Sequence, residues 1–533
     1  MTPDELLAQE FGTLSELLRA HARARPSHAA LLLDDEVLDL AALDAQVDRV
    51  ATALQRDGLH PGTVVALCAG NSLEWVVVFL GALRAGVVVA PLPPSATGET
   101  LAKMCADAEA GLLFVDGPAA ATLLPVRDAI AAPWVLLDGG PDGRSFGEWV
   151  APGETRGAAP GAAPEPVAIK PGDACTLIYS SGTTGTPKGI VQPQSMRWAH
   201  LRRGPLLGYG PQAVTLVALP LWSNTTLVSL LPALGLGGTV VLMRRFDAAG
   251  FLALAGRHRA THAMLVPVLF ERLLVHEDFA RADLSSFQLK TCTSAPFSPA
   301  LKSEVLRRWP GGLSEFYGMS EGGASCMLEA HLHPDKLHTV GRPQPGHEIR
   351  LIDEAGRELP PGEPGEVVGR SPMMMTGYHR LPEQTAKVEW FDAAGRRFIR
   401  TGDLGCLDED GFLILLDRKK DVVISGGFKV FPSDLEEVLR AHPAVAEVAV
   451  AGVPSPRWGE TPVAFVVRTA SAAATSPELL SWANARLGKL QRLAAVELVD
   501  ALPRNALGKV LKRELRERYL LERPSGAKDR SKG

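Results

Sequence analysis

The stretch "LIYSSGTTGTPKGIV", Leu177 to Val191, decides how the rest of the chain is read. Its apolar start, Leu177-Ile178-Tyr179, has the character of the end of a buried strand. The Gly, Ser and Thr residues that follow favour turns, so they predict a loop where the strand would otherwise continue. Such loops offer free backbone N–H groups and hydroxyls, which suit phosphate oxygens. The spacing G-T-T-G-T-P-K-G is not a Walker A motif, because Lys188 follows Pro187 and precedes Gly189. Two readings fit the stretch alone: a mobile turn, or a phosphate grip closed by Lys188.

At 533 residues the chain is too long for one ordinary core, which predicts two or more domains. A 46% apolar and 22% charged composition describes a globular protein, not a disordered or fibrous one. The net charge of −5 argues against a nucleic-acid binder with a dominant basic face. Six scattered cysteines without a C-x-x-C pair read as reduced and mostly buried, which predicts a cytoplasmic protein. The start "MTPDELLAQEFGTLSELL" carries acids where a signal peptide would carry bases. The most apolar window, Val214 to Met243, is interrupted by Pro220, Ser223, Asn224 and Pro232. It predicts a buried strand–helix–strand passage, not a membrane span.

Up to about residue 150, β-branched runs such as "TVVALC" (63–68) and "VVVAPL" (87–92) alternate with helical ones such as "SLEWVVVFLGALRAG" (72–86). That alternation predicts an α/β fold of doubly wound parallel sheets. The Ala/Pro/Gly-rich segment 151–166 reads as a surface linker, and the α/β pattern resumes after it with "TVVLM", "HAMLV" and "LKTCTSA". From about Gly341 to Leu416, short strands with Gly/Pro turns predict a small β-barrel-like part. Beyond Arg418 a small α+β unit is expected, ending in a basic helix and a frayed tail.

Four more stretches stand out: "EFYGMSEGG" (315–323), "RTGDLG" (400–405), "DRKKDVVISGGFKVFPSDLEEVL" (417–439) and "PRNALGKVLKREL" (503–515). With the opening loop, this ordered set resembles the signature of the ANL superfamily of adenylate-forming enzymes: acyl- and aryl-CoA synthetases, peptide-synthetase adenylation domains and luciferases. The resemblance spans nearly the whole chain and selects the phosphate grip over the mobile turn. It implies an N-terminal adenylation domain at 1–418 and a mobile C-terminal domain at 419–533.

Making an acyl-adenylate brings a carboxylate onto the α-phosphate of ATP, so positioning and cationic neutralisation are the expected catalysis. The resemblance implies that Ser180, Ser181, Gly182, Thr183, Thr184, Gly185, Thr186 and Lys188 grip the β- and γ-phosphates. Ser294, Ala295, Pro296, Tyr317 and Gly318 would line the nucleotide site, with Tyr317 stacked on adenine. Ser320 would contact the α-phosphate, and Glu321 would bind Mg2+, a hard cation that bridges phosphate oxygens. Asp403 and Arg418 would hold the ribose, and Lys509 would be the catalytic lysine of adenylation. Read singly, Tyr317 could be core packing, Asp403 a turn-former, and Arg418 and Lys509 solvated charges.

Lys420 falls at the family's hinge, about which the C-terminal domain rotates between half-reactions. One orientation presents Lys509; the other brings the pantetheine tunnel, Ser425, Gly426, Gly427 and Phe428, to the thiol acceptor. A passing pantetheine arm would leave no room for a Cβ at Gly426 or Gly427. An ordinary turn is the other reading of that pair.

The clearest departure lies in "ALPLWSNTTLV" (218–228). Many relatives carry a His where this chain has Ser223, and Ser is shorter and cannot become a cation. Three histidines in "EAHLHPDKLH" (329–338) lack a second ligand cluster and read as a polar loop. Gly235, Gly237 and Gly238 lack the spacing of a dinucleotide site.

The expected function is an ATP-dependent acid–thiol ligase with coenzyme A as acceptor. Two features favour coenzyme A: the short distance from Lys509 to the last residue, and "WGE" (458–460), which resembles the CoA-ligase branch. A separate carrier protein as acceptor, and an inactive nucleotide-binding relative, are the alternatives. The acid pocket would draw on Trp222, Ser223, Asn224, Thr225, Pro267, Gly318 and Met319. It looks mainly apolar, with no obvious cation for a second carboxylate, and favours an aromatic, alicyclic or medium aliphatic monoacid. Lys509 lies in an exposed-looking turn, which makes it a candidate target for a lysine acetyltransferase.

Overall fold

The computed structural model describes all residues except 141–142, 152–162, 181–186, 361, 470–471, 490, 506–507 and 523–533. Most of the expected linker, the centre of the opening loop and the tail therefore lie outside the described residues. Two compact units emerge, Met1–Ile349 with Val368–Arg400, and Arg350–Val367 with Thr401–Gly533.

The first unit holds two large sheets. The nine-stranded sheet runs, edge to edge, through Arg342–Pro343, Cys326–Glu329, Gly312–Tyr317, Leu289–Cys292, His262–Leu265, Val214–Val217, Thr239–Leu242, Ala29–Leu33 and Glu36–Asp39. Its six central strands, from Gly312–Tyr317 to Ala29–Leu33, are parallel. The eight-stranded sheet runs through Gly377–Tyr378, Lys188–Pro193, Ala174–Ser180, Val88–Pro91, Val64–Cys68, Leu112–Val115, Trp134–Leu136 and Arg144–Ser145. Strands such as Leu112–Val115 are buried throughout, as covered parallel strands require.

Helices close these sheets where the sequence supplies caps. Asp39 caps Leu40–Arg56 and Ser72 caps Leu73–Arg84, each side chain accepting a backbone N–H of the first turn. The two helices lie so close that a Cβ on Gly81 would come within 2.5 Å of the Val50 side chain. The Val214–Met243 window forms a strand, the helix Asn224–Gly235 and a second strand, as expected. Among the described residues no helix is long and apolar enough to cross a membrane.

The second unit is α+β. Its sheet orders Phe428–Val430, Val423–Ser425, Gly459–Arg468 and Val445–Ser455, with Ala495–Leu498 parallel to Gly459–Arg468. Helices Pro432–Arg440 and Ser476–Asn484 carry Leu435, Leu439 and Leu479 into a core with Val423, Val450 and Val466. Leu515 of the C-terminal helix Lys512–Glu522 joins a second cluster with Phe465 and Leu502. Strand Leu413–Arg418 pairs antiparallel with the end of Arg397–Leu407, in the region read as barrel-like.

Among the described glycines of the first unit, Gly322 makes the tightest backbone approach. Its φ is +78°, and a Cβ there would fall 1.7 Å from the Met373 carbonyl oxygen. Gly322→Ala is expected to destabilise the protein by about 3 kcal/mol or more, read from denaturant unfolding.

Candidate active site

The C-terminal ends of four parallel strands of the nine-stranded sheet carry most of the residues expected around nucleotide and acid. Trp222 to Thr225 follow Val214–Val217, Pro267 follows His262–Leu265, Ser294 follows Leu289–Cys292, and Gly318 to Glu321 follow Gly312–Tyr317. Ligands of open α/β sheets bind at that end of the strands. Ser294 has φ +78°, unusual for a residue with a side chain, and its hydroxyl meets that of Thr225 at 2.8 Å. Pro267 opens the helix Pro267–Leu274, where its missing N–H costs nothing.

Ser223, the departure noted in the sequence, has a local task. Its hydroxyl accepts the Thr225 N–H at 3.2 Å and caps helix Asn224–Gly235, and the side chain is buried. Ser223 therefore stands as a helix cap.

Lys188, which closes the loop in the sequence, opens the returning strand Lys188–Pro193. Register pairs it with Ser180 and pairs Gly189 with Tyr179. Ala174–Ser180 and Lys188–Pro193 thus form an antiparallel pair, and residues 181–186 of the Gly/Thr-rich stretch lie outside the described residues. On the other edge of the returning strand, Tyr378 pairs with Ile190, and the His379 N–H donates to the Gly189 carbonyl at 2.7 Å.

That edge brings in a residue missed in the sequence. The Tyr378 hydroxyl donates to Glu321 Oε1 at 2.9 Å, and its ring lies 5.4 Å from Lys188 Nζ. Burial, and then the Glu321 carboxylate, push the Tyr378 phenol well above its usual range, so it remains a donor. The Met375 N–H fixes the Glu321 carbonyl at 2.9 Å. One tyrosine therefore spaces and orients both the cation and the carboxylate. Ser320 is held from below, where Gln192, fully buried on the same strand, donates Nε2–H to the Ser320 carbonyl at 2.8 Å. Tyr317 ends strand Gly312–Tyr317, opposite Cys326.

The second unit carries the remaining charged residues. Asp403 is not in a free turn, as expected from its flanking glycines, but within strand Arg397–Leu407. A register shift between Leu404 and Gly405 absorbs the glycines while Asp403 pairs with Arg418. Arg418 Nε lies 3.2 Å from Asp403 Oδ1. The Asp403 N–H donates to Thr401 Oγ1 at 3.1 Å.

Lys509 is half-buried, not exposed as its turn-like sequence implied, and its N–H donates to Asn505 Oδ1 at 2.9 Å. Burial, then Arg418 and Lys420, pull the Lys509 ammonium down to about 8, against the opposing pull of Asp403 and Asp421. Lys420 follows Arg418 in a turn closed by the Asp421 N–H on the Arg418 carbonyl at 2.9 Å.

Ser425 pairs with Phe428 across a two-residue turn in which Gly426 and Gly427 have φ of +58° and +85°. Two left-handed residues make the tight hairpin glycine's own requirement. A Cβ at Gly426 would also strike the Trp458 ring at 2.9 Å, whereas Gly427 has open space. Phe428 and Trp458 are both exposed beside this turn.

Residues 18–379 match the model of the AMP-binding enzyme family, and residues 434–509 match that of the AMP-binding enzyme C-terminal domain. The chain belongs to the AMP-binding enzyme family. It is thereby a member of the ANL adenylate-forming superfamily. The fatty acid–[acyl-carrier-protein] ligase ScoC of Streptomyces coeruleorubidus is 30% identical, over 97% of this chain and 98% of that protein. A feruloyl-CoA synthase of an Amycolatopsis species is 33% identical, over 93% of this chain and 97% of that protein. The ATP-bound MatB structure of Rhodopseudomonas palustris matches with a TM-score of 0.83 at 31% identity, covering 95% of this chain and 99% of that one. This AMP-binding enzyme is an AMP-forming acid–thiol ligase of the acyl-CoA synthetase type, with ATP as co-substrate.

Tyr378→Phe removes one hydrogen bond to the Glu321 carboxylate and keeps the ring. Pyrophosphate exchange is expected to need about tenfold more Mg2+, with unfolding stability changed by about 1 kcal/mol or less. Titrating exchange against Mg2+ checks this.

Proposed function

We propose that this AMP-binding enzyme activates a carboxylic acid with a largely apolar body as its acyl-AMP, releases pyrophosphate, and passes the acyl group to coenzyme A. The observation that carries the reading is the Lys188–Tyr378–Glu321 arrangement, which fixes a cation and a carboxylate beside the strand ends where Ser320 and Tyr317 stand. Adenylation gathers negative charge on phosphoryl oxygens, so a fixed ammonium there stabilises the transition state with little reorganisation. Tyr317 and Gly318 lie where adenine would stack, with Ser294, Ala295 and Pro296 along the neighbouring strand end. Asp403 and Arg418 hold the ribose in this reading.

Glu321 fits a magnesium ion brought in on ATP. Among the described residues no group of three or more His, Cys, Asp or Glu could hold a metal, so ATP phosphates would supply most ligands beside this one oriented carboxylate. Bound there, Mg2+ neutralises phosphate charge. Ser180 to Thr186 and Lys188 grip the leaving pyrophosphate in the same reading.

The second domain, from residue 419, alternates about Lys420, offering Lys509 for adenylation and the Ser425–Phe428 hairpin for the thiol step. Acetylation of Lys509 by a lysine acetyltransferase would neutralise its charge and stop adenylation. Comparing acetylated with unmodified protein tests that switch.

A carrier protein is the second candidate acceptor, favoured by the likeness to the ScoC ligase over nearly the whole chain. AMP release from Mg·ATP, measured across aromatic, alicyclic and straight-chain acids with and without coenzyme A, separates the readings. Release that requires one acid and coenzyme A supports the proposal. Acid-dependent pyrophosphate exchange without turnover on coenzyme A points to a carrier protein, and no acid-dependent signal overturns the ligase assignment.

Lys509→Ala is expected to lower acyl-AMP formation about a hundredfold or more while sparing thioester formation from supplied acyl-AMP. Equal loss in both half-reactions would contradict the alternation. Lys509 acts as a cation, charged below its pKa of about 8 and neutral above it. Adenylation is therefore expected to fall as pH rises through about 8, a limb that the thioester step from supplied acyl-AMP should lack.

A further inference from the structure

Behind the expected acid-pocket residues lies a guanidinium that no carboxylate among the described residues balances. Arg197, on helix Gln194–Arg203, is only 3% exposed. Its Nη2 donates to Thr176 Oγ1 at 3.1 Å, to Gln192 Oε1, and to Asn224 Oδ1 at 3.0 Å, all neutral acceptors. Its Nε and Nη1 are buried and find no oxygen or nitrogen acceptor among the described residues, although the Cys175 thiol meets the guanidinium. The ionisable group beside it is the Cys175 thiol, which burial pushes up to about 11, so it brings no compensating charge. An unbalanced buried cation costs several kcal/mol unless something anionic completes it.

Arg197 does not stand alone. His200 and Arg203 follow it at three-residue spacing along one side of the helix. The Arg203 guanidinium lies 5.0 Å from the Phe316 ring centroid, and its ionisable neighbour, Tyr209, is a buried phenol held protonated. His200 Nδ1 is buried without a partner among the described residues. His347 completes the group and accepts the Ser325 N–H at 2.8 Å. Burial, then the arginines, hold both imidazoles below their usual range, His347 down to about 4, so they stand as neutral rings. Among the described residues no carboxylate pairs with Arg197 or Arg203.

This set touches the acid pocket at two points. Arg197 holds Asn224, and Ser325, which His347 anchors, lies 3.6 Å from where a Cβ on Gly318 would sit. His200, Arg203 and His347 are each half-buried.

We infer that the acid substrate ends, away from its reacting carboxyl, in a second carboxylate, received by Arg203 and His200 with the Arg197 charge behind them. The inference rests on the ligase reading above and narrows its substrate: an apolar body between two carboxyl groups, not the monoacid expected from the sequence.

The test uses matched pairs, α,ω-diacids and monoacids of the same aliphatic or aryl skeleton, with AMP release as readout. Wild-type enzyme is expected to show kcat/KM for the better diacid about tenfold or more above that of its monoacid, mainly through KM. Arg203→Gln and His200→Ala should each shrink that ratio toward unity. Because the ratio is taken within one preparation, partial misfolding of a variant cancels. A wild-type preference for monoacids, or a diacid preference that both variants leave unchanged, overturns the inference. Activity confined to monoacids leaves the ligase reading standing, whereas no activity with any acid removes both.

Discussion

The first unit depends on one short strand hydrogen-bonded on both edges. Lys188–Pro193 pairs on one side with Ala174–Ser180 and on the other with Gly377–Tyr378. Gly189, Ile190 and Val191 at its middle are held from both sides, so they cannot drift independently. Lys188 at its start is set against the Tyr378 ring, and Gln192 near its end reaches the Ser320 carbonyl. The strand thus ties the phosphate-facing cation to the loop that carries Ser320 and Glu321. Backbone at the same loop is pinned again by Met375 and by the close approach at Gly322.

Polar groups beneath this strand are the costly part of the design. Gln192, Thr176 and Arg197 are all buried, and their mutual hydrogen bonds satisfy the amide and hydroxyl, but among the described residues only one nitrogen of the guanidinium finds an oxygen acceptor. A partly satisfied buried network is less stable than an apolar filling of the same volume. Its retention beside Asn224 and Ser320 is understandable if substrate binding completes the charge balance. In the second unit the same physics acts on Lys509, whose burial and cationic neighbours weaken its hold on a proton.

Much of this was legible in the sequence, because adenylate chemistry is written in short contiguous motifs. The parallel strands could be read from their continuous apolar runs, and Val214–Met243 resolved as the strand–helix–strand expected. What escaped was whatever depends on register or on distant pairing. Nothing local places Lys188 opposite Ser180, or lets a strand bulge keep Asp403 facing Arg418. Tyr378 is 57 residues from Glu321 and belongs to no motif read from the sequence. Arg197 sits in a helix with two more arginines, which reads as a solvated face until the fold buries it. Ser223 looked like a lost ionisable group, and only the helix start after it reveals a cap.

In the proposed reaction the acid's carboxylate attacks the α-phosphate of ATP. The most direct test is to supply the turned-over acid with heavy oxygen in its carboxyl group and weigh the AMP released by mass spectrometry. One labelled oxygen is expected to pass from acid to AMP, because the acyl–oxygen bond breaks when the thiol takes the acyl group. Unlabelled AMP, with the heavy oxygen found in a phosphate product instead, would contradict it.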